Sequence, residues 1–82
     1  MKRYLDVIWT DGLDGNIEHL AANGVSPEEA EEVLREPVAT DVSRSSGRPI
    51  AFGMTRAARK LAVVYEQIDR VTVYPITAYD VE

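Results

Sequence analysis

The hydrophobic residues of this chain follow a helical period in part of its first half and alternate with polar residues elsewhere. Residues 4–9 alternate as a short strand does, and residues 10–12 have the composition of a turn. Apolar residues at helical spacing then predict a helix over residues 14–22, with Asp14 as its N-cap. Gly24, just beyond this run, is the expected C-terminal stop.

A second helix has the clearest start signal in the sequence. Ser26 is a good N-cap, Pro27 suits the first helical position, and Glu29 stands three residues after the serine. This spacing predicts a capping box, in which Ser26 and Glu29 satisfy each other's backbone N–H groups. The expected buried stripe of this helix is Ala30, Val33 and Leu34, and Pro37 ends it.

The second half of the chain reads as strands. Four runs rich in β-branched or aromatic residues are separated by turn residues, at 38–42, 49–55, 59–67 and 70–78. Their spacing predicts an antiparallel β-meander that follows the N-terminal strand and the two helices. We therefore expect a single α+β domain over residues 1–82, with one face of the sheet covered by helices and the other open.

Composition narrows the class of protein. The 82 residues are 45% hydrophobic and 28% charged and contain no cysteine, which is typical of a single globular domain without disulfides or thiolate chemistry. No run reaches the about 18 apolar residues of a membrane helix, and no apolar segment follows the basic start of the chain. The sequence therefore predicts a cytoplasmic protein that does not span a membrane.

Charge is distributed unevenly along the chain. The net charge is −5, but residues 1–43 carry −7 and residues 44–82 carry +2. Arg48, Arg56 and Arg59 fall at predicted strand ends or turns, where long side chains can converge on one anion. The alternative is a solvated surface in which these arginines pair with nearby glutamates.

Two further residues are candidates for chemistry. His19 is the only histidine, a residue type whose ordinary pKa lies near neutrality, and it shares a helical face with Asn16. His19 serves either proton transfer or local structure. It has no second ligand at metal-site spacing, so the sequence predicts no metal site, and it shows no cofactor motif. Alternation along the strand predicts that Tyr65 and Glu66 point in opposite directions, without showing which side is covered.

Short motifs in a fixed order along nearly the whole chain resemble one protein family. They lie at residues 9–16, 19–20, 24–34, 37, 48, 52–55, 59–65 and 77–78. Together they resemble the small BrnT-like toxins of bacterial type II toxin–antitoxin systems. The resemblance implies a RelE-like fold, a ribonuclease activity that needs no metal, and a DNA-binding antitoxin as partner.

In such a ribonuclease the RNA 2′-hydroxyl attacks the adjacent phosphorus, which requires a base, a cationic clamp and a proton donor. The resemblance implies Arg48 and Arg59 as the clamp, with His19 or Tyr65 assisting proton transfer. The expected further RNA contacts are Arg44, Arg56, Lys60 and Tyr79.

The chain also departs from the family pattern at two places where basic residues are common. Ala22 and Asn23 stand before the Gly-Val-Ser turn, and Tyr79 follows Thr77-Ala78 in the last strand. These departures favour, as the alternative, a catalytically attenuated member that acts as a protein-binding module. In either case the uncovered edge of the predicted meander invites an antitoxin segment or a second copy of the chain.

Overall fold

The structure, a computed structural model, describes residues 6–81 and consists of two helices packed on a mixed five-stranded sheet. The predicted α+β class is confirmed. In chain order the elements are β1 (Asp6–Val7), α1 (Asn16–Ala21), α2 (Pro27–Arg35), β2 (Ala39–Val42), β3 (Pro49–Met54), β4 (Lys60–Gln67) and β5 (Thr72–Asp80). Residues 4 and 5 of the predicted first strand lie outside the described range. Within residues 6–81, no helix is long and apolar enough to cross a membrane.

Helix α1 begins later than its sequence pattern predicts. The prediction of Asp14 as N-cap is wrong, since Gly15 occupies that position and makes no side-chain cap. A Cβ atom at Gly15 would overlap the backbone carbonyls of Thr10 and Asp11, so only glycine fits where the chain passes beneath this turn. The Asn16 backbone N–H donates instead to Thr10 Oγ1, at 3.1 Å.

Helix α2 forms as its start signal predicts. The Ser26 hydroxyl accepts a hydrogen bond from the Glu29 backbone N–H at 3.2 Å, and the Glu29 carboxylate accepts one from the Ser26 N–H at 3.0 Å. The predicted capping box is therefore confirmed, with Pro27 as the first helical residue. Gly24, with φ +75°, reverses the chain between the two helices. The predicted stripe is buried: Ala30, Val33 and Leu34.

The sheet has the strand order β1-β5-β4-β3-β2. Strands β2 to β5 pair antiparallel with their neighbours in sequence, whereas β1 pairs parallel with β5 through Asp6–Thr72 and Val7–Val73. A bulge in β5 lies opposite Val64 and Tyr65, which face Thr77 and Pro75, and it inserts Ile76 as an extra residue. The sequence did not predict the parallel pairing, because strand alternation does not specify a partner.

The two helices cover one face of the sheet. The main core lies between the helices and the sheet. It is formed by Leu20, Val25, Ala30, Val33, Leu34, Ala51, Leu61, Val63, Tyr65, Val73 and Ala78. A smaller cluster on the opposite face contains no helical residue and is centred on Ile50, Ala62 and Val64. We call this opposite face the uncovered face; any site accessible to a macromolecule on the sheet must lie there or at the sheet edges.

Candidate functional site

Four polar residues cross the uncovered face at one end of the sheet, and we call them the polar row: Arg48, Glu66, Tyr74 and Thr10. Arg48 Nε lies 3.9 Å from Glu66 Oε1. Glu66 is the register partner of Tyr74, so their side chains emerge side by side. The Tyr74 hydroxyl lies 3.4 Å from Thr10 Oγ1. The side chains of Arg48 and Glu66 are 42% and 56% exposed, so this row is accessible to a ligand.

A pocket of about 200 Å³ opens beside Tyr74, at the β5 edge of the sheet. We call it the edge pocket; it is lined by Asp14, Asn16, His19, Tyr74 and Ile76. His19 is exposed on α1 and Tyr74 is partly buried on β5. An imidazole, a phenol and a carboxylate thus border one open space, and such groups can accept and donate protons during catalysis.

Asn16, which lines the edge pocket, holds the surrounding backbone in place through its side-chain amide. Its side-chain oxygen accepts hydrogen bonds from the Thr10 backbone N–H at 2.9 Å and from Thr10 Oγ1 at 3.2 Å. Its amide nitrogen donates to the carbonyls of Ile8 at 2.8 Å and Pro75 at 2.9 Å. Because both ends of this buried amide are occupied, Asn16 holds β1, α1 and β5 together and does not address a ligand.

Arg59 lies at the opposite end of the sheet and is held by several acceptors. Its Nη1 donates to the Gly24 carbonyl at 2.8 Å and to the Glu29 carboxylate at 3.0 and 3.1 Å. Its Nε and Nη2 donate to the two oxygens of Asp80 at 2.7 and 3.0 Å. The Arg59 guanidinium therefore joins the turn before α2, the start of α2 and the end of β5.

The pKa values of this cluster reflect the same contacts. Hydrogen bonds from Arg59 lower the pKa of Asp80, and the two carboxylates raise the pKa of Arg59 above its already high ordinary value. The pKa of Glu29 is lowered first by the Ser26 backbone N–H and further by Arg59. The carboxylates thus stay charged and paired over the whole neutral range.

The structure does not bring Arg48 and Arg59 together as a clamp. Arg48 is level with Glu66 near the end of β4, whereas Arg59 immediately precedes that strand. At the rise of an extended strand this separates the two arginines by about 20 Å. Arg56 lies at the Arg59 end and faces Glu32, at 3.8 Å. The expectation that Arg48, Arg56 and Arg59 converge on one anion is wrong, because β4 separates Arg48 from the other two.

The remaining predicted site residues are spread over the sheet. Tyr65 is only 4% exposed and lies in the main core beneath the helices, where an RNA strand does not reach. Lys60 and Tyr79 lie near the Arg59 end, and Tyr79 is 41% exposed. Arg44 lies in the connection between β2 and β3, at the Arg48 end.

Sequence reasoning missed Tyr74 and Glu66 as partners in one site. The alternation of β4 showed that Glu66 points away from Tyr65, and that of β5 grouped Tyr74 with Ile76. Only the register between the two strands places Glu66 beside Tyr74. A signal was nonetheless present, since a glutamate and a tyrosine near the facing ends of two adjacent strands are natural cross-strand neighbours.

Among residues 6–81, no group of three or more histidine, aspartate or glutamate side chains is placed to hold a metal ion. Comparison with known proteins gives no match: no family model, no curated protein and no solved structure matches the chain. The assignment of function therefore depends on the chemistry of the polar row and the edge pocket, together with the resemblance noted in the sequence.

Proposed function

We propose that this protein is a metal-independent endoribonuclease and the toxin component of a type II toxin–antitoxin system. The observation that carries the proposal is the placement of His19 and Tyr74 around one open pocket at the β5 edge, with Tyr74 on the same face of the sheet as Arg48. These three residues supply the groups that RNA cleavage by the 2′-hydroxyl needs: a base, a proton donor and a cation.

In the proposed reaction His19 accepts the proton of the 2′-hydroxyl, whose oxygen attacks the adjacent phosphorus. The bond from phosphorus to the 5′-oxygen breaks, and Tyr74 donates a proton to that leaving oxygen. Arg48 stabilises the negative charge that develops on the phosphate oxygens. The products are a 2′,3′-cyclic phosphate and a 5′-hydroxyl end, so no bound metal is needed.

The strand spacing supports a shared substrate. Arg48 emerges at the start of β3 and Tyr74 from β5, with β4 between them. Adjacent strands lie about 4.8 Å apart, so the two side chains emerge about 10 Å from each other. Side chains of this length converge across such a gap on one phosphate and its neighbouring sugar. Arg59, at the far end of β4, has no place in this arrangement.

The decisive test is cleavage of bulk RNA by the purified protein in excess EDTA. We expect fragments that end in 2′,3′-cyclic phosphate from the wild type, and a loss of about a hundredfold or more in the variants His19→Ala and Arg48→Ala. Arg35→Ala is the matched control, since Arg35 lies exposed on α2 and pairs with Glu31 at 3.2 Å, away from the site. Thermal unfolding of each variant verifies that the fold is retained.

The alternative function, a protein-binding module without catalysis, is favoured by one observation. Glu66 lies 3.9 Å from Arg48 and offsets part of its charge at the position where a phosphate would bind. Under this alternative, RNA stays intact with all four proteins, and the wild type forms a stable complex with an antitoxin encoded beside it. Cleavage that EDTA abolishes would contradict both proposals.

A further inference from the structure

A small apolar pocket opens on the uncovered face, at the end of the sheet where β4 begins. Its volume is about 160 Å³, and the residues that line it include Val38, Phe52, Met54, Lys60 and Val81. Phe52 and Val81 pack against the smaller apolar cluster of that face, which forms the floor beneath them. The Val38 N–H donates to the Phe52 carbonyl at 2.8 Å, and this bond fixes Val38 at the border of the pocket. We call this space the apolar pocket.

The border of the apolar pocket is open to solvent. Val38 is 80% exposed and Met54 is 50% exposed. Lys60 is exposed as well, and its ammonium group forms no ion pair within residues 6–81. Exposed apolar residues that adjoin one another are typical of a surface that another molecule covers. With an unpaired cation at its border, this pocket suits an aliphatic side chain that has carboxylates beside it.

The loop before α1 presents such a combination. Leu13 is 92% exposed, more than any other large hydrophobic residue in the part of the chain that the structure describes. Asp11 and Asp14 stand on either side of it, both exposed, and neither forms an ion pair with another described residue. The Gly15 N–H donates to the Gly12 carbonyl at 3.1 Å and closes the turn that carries Leu13. The leucine is therefore held in an exposed position in advance, so binding costs little further ordering.

We propose that Leu13 of one copy of this protein inserts into the apolar pocket of a second copy, with Asp11 and Asp14 beside Lys60. Burial of the leucine removes apolar surface from water on both sides of the contact. The aspartates give Lys60 the opposite charge that it lacks within its own chain. Within one copy the loop borders the β5 edge beside Tyr74, whereas the pocket lies across β3 and β4 at the far end. The contact therefore forms only between copies.

A two-fold axis makes this contact twice. Both features border the uncovered face, since Asp14 lines the edge pocket together with Tyr74 and the apolar pocket lies on that face. Two copies with their uncovered faces toward each other can therefore place each Leu13 at the pocket of the other copy, and the assembly closes at the dimer. The dimer does not depend on the proposed function. It does restrict access to the edge pocket, so RNA cleavage belongs to the monomer.

The test is sedimentation velocity of the whole protein over about a hundredfold range of concentration around the micromolar level. We expect a monomer–dimer equilibrium. Leu13→Ser should weaken it about a hundredfold or more, because each dimer loses two buried leucines. Lys60→Glu should weaken it about tenfold, because it places like charges together at both contacts. Arg70→Glu, at an exposed arginine in the connection between β4 and β5, makes the same change of charge and should leave the equilibrium unchanged.

A mixture of two charge-reversed variants tests the contact itself. The loop variant Asp11→Lys/Asp14→Lys and the pocket variant Lys60→Glu should each be monomeric at concentrations where the wild type dimerises. Together they should form a heterodimer about as readily as the wild type, because one contact keeps the native charges and the other has them exchanged. A mixture that stays monomeric overturns the proposal, as does a dimer that survives Leu13→Ser. A wild type that is monomeric at every concentration also overturns it and leaves the pocket to a different protein.

Discussion

The Arg59 guanidinium and the Asp80 carboxylate form a two-point contact, with Nε–Oδ1 at 2.7 Å and Nη2–Oδ2 at 3.0 Å. The side chain of Arg59 is only 28% exposed, and its other nitrogen is occupied by Glu29 and the Gly24 carbonyl. These contacts use four of the five N–H groups of the guanidinium, so Arg59 cannot offer a phosphate a two-point contact unless some of them break. These contacts therefore indicate a structural role for Arg59, which the family resemblance had implied as one of two clamp arginines.

The first prediction is that Arg59→Ala lowers thermal stability without removing RNA cleavage. The variant removes the hydrogen bonds by which Arg59 joins three segments, and it leaves the Glu29 carboxylate with fewer partners. We expect Tm to fall by several degrees while cleavage per folded molecule stays within about threefold of the wild type. Arg59→Lys should recover little stability, because a lysine does not reproduce the two-point contact. A loss of cleavage as large as that of Arg48→Ala, with the fold intact, would return Arg59 to the active site.

The second prediction concerns acid pH. The pKa values of Asp80 and Glu29 are lowered in the folded protein, so the unfolded chain binds more protons in the acid range. Their contribution to stability is complete above about pH 4.5 and is lost as pH falls through the folded pKa values. Hydrogen bonds from Arg59 are the main cause of the lowered pKa of Asp80. The Tm difference between wild type and Arg59→Ala should therefore shrink on acidification.

Thermal unfolding from neutral to strongly acid pH measures that difference directly. The Asp80 side chain is 56% exposed, so solvent screens the contact and the change in Tm is expected to be small. Glu29 keeps part of its lowered pKa in the variant, since its largest cause is the Ser26 backbone N–H. A gap between the two proteins that is constant down to the lowest pH would contradict this account.

Local signals in the sequence predicted the elements well. The Ser26 capping box and the turn at Gly24 formed as expected, because each depends on residues within a few positions of one another. The start of α1 was misplaced because its cause is not local. The backbone of Thr10 and Asp11 lies so close to residue 15 that only glycine, without a Cβ atom, fits there. The preference of aspartate for the N-cap position, which pointed to Asp14, carries no information on that contact.

The site was harder to predict than the fold because it depends on strand register. Tyr65 was a reasonable candidate while the covered side of β4 was unknown, and the packing of the helices then placed it in the core. Arg48 and Arg59 are close in sequence, yet the β3–β4 hairpin carries them to opposite ends of the sheet. Glu66 and Tyr74 meet through the register between β4 and β5, which the sequence pattern leaves open.

The third prediction is that Asn16→Ala is strongly destabilising. Asn16 is 3% exposed, and its removal takes away the hydrogen bonds that its amide donates to the Ile8 and Pro75 carbonyls. We expect a loss of about 2–4 kcal/mol in the free energy of unfolding, measured by urea denaturation. Asn23→Ala is the matched control, since Asn23 also donates to a β5 carbonyl, that of Ala78 at 2.8 Å, but is exposed. Its cost should be about 1 kcal/mol or less; equal losses would contradict the role assigned to burial.

The last prediction distinguishes the end of the sheet that carries Tyr74, the proposed proton donor, from the opposite end. Tyr74→Phe removes the hydroxyl that lies 3.4 Å from Thr10 Oγ1 and keeps the ring in place. If Tyr74 donates the proton to the leaving oxygen, kcat for cleavage of a short RNA should fall about a hundredfold, with KM nearly unchanged. The loss should be smaller for a substrate whose 5′-oxygen is replaced by a better leaving group, because that group needs no proton.

Tyr79→Phe is the comparison for Tyr74→Phe, since both tyrosines lie on β5 and Tyr79 is at the far end, five residues away. Its effect should be confined to KM and be no more than about threefold, as expected of a distant contact to the RNA strand. The two variants also differ in their response to the leaving group, which a purely structural effect would not produce. Equal losses in kcat for both, or a Tyr74→Phe loss that the better leaving group does not reduce, would exclude Tyr74 as the proton donor.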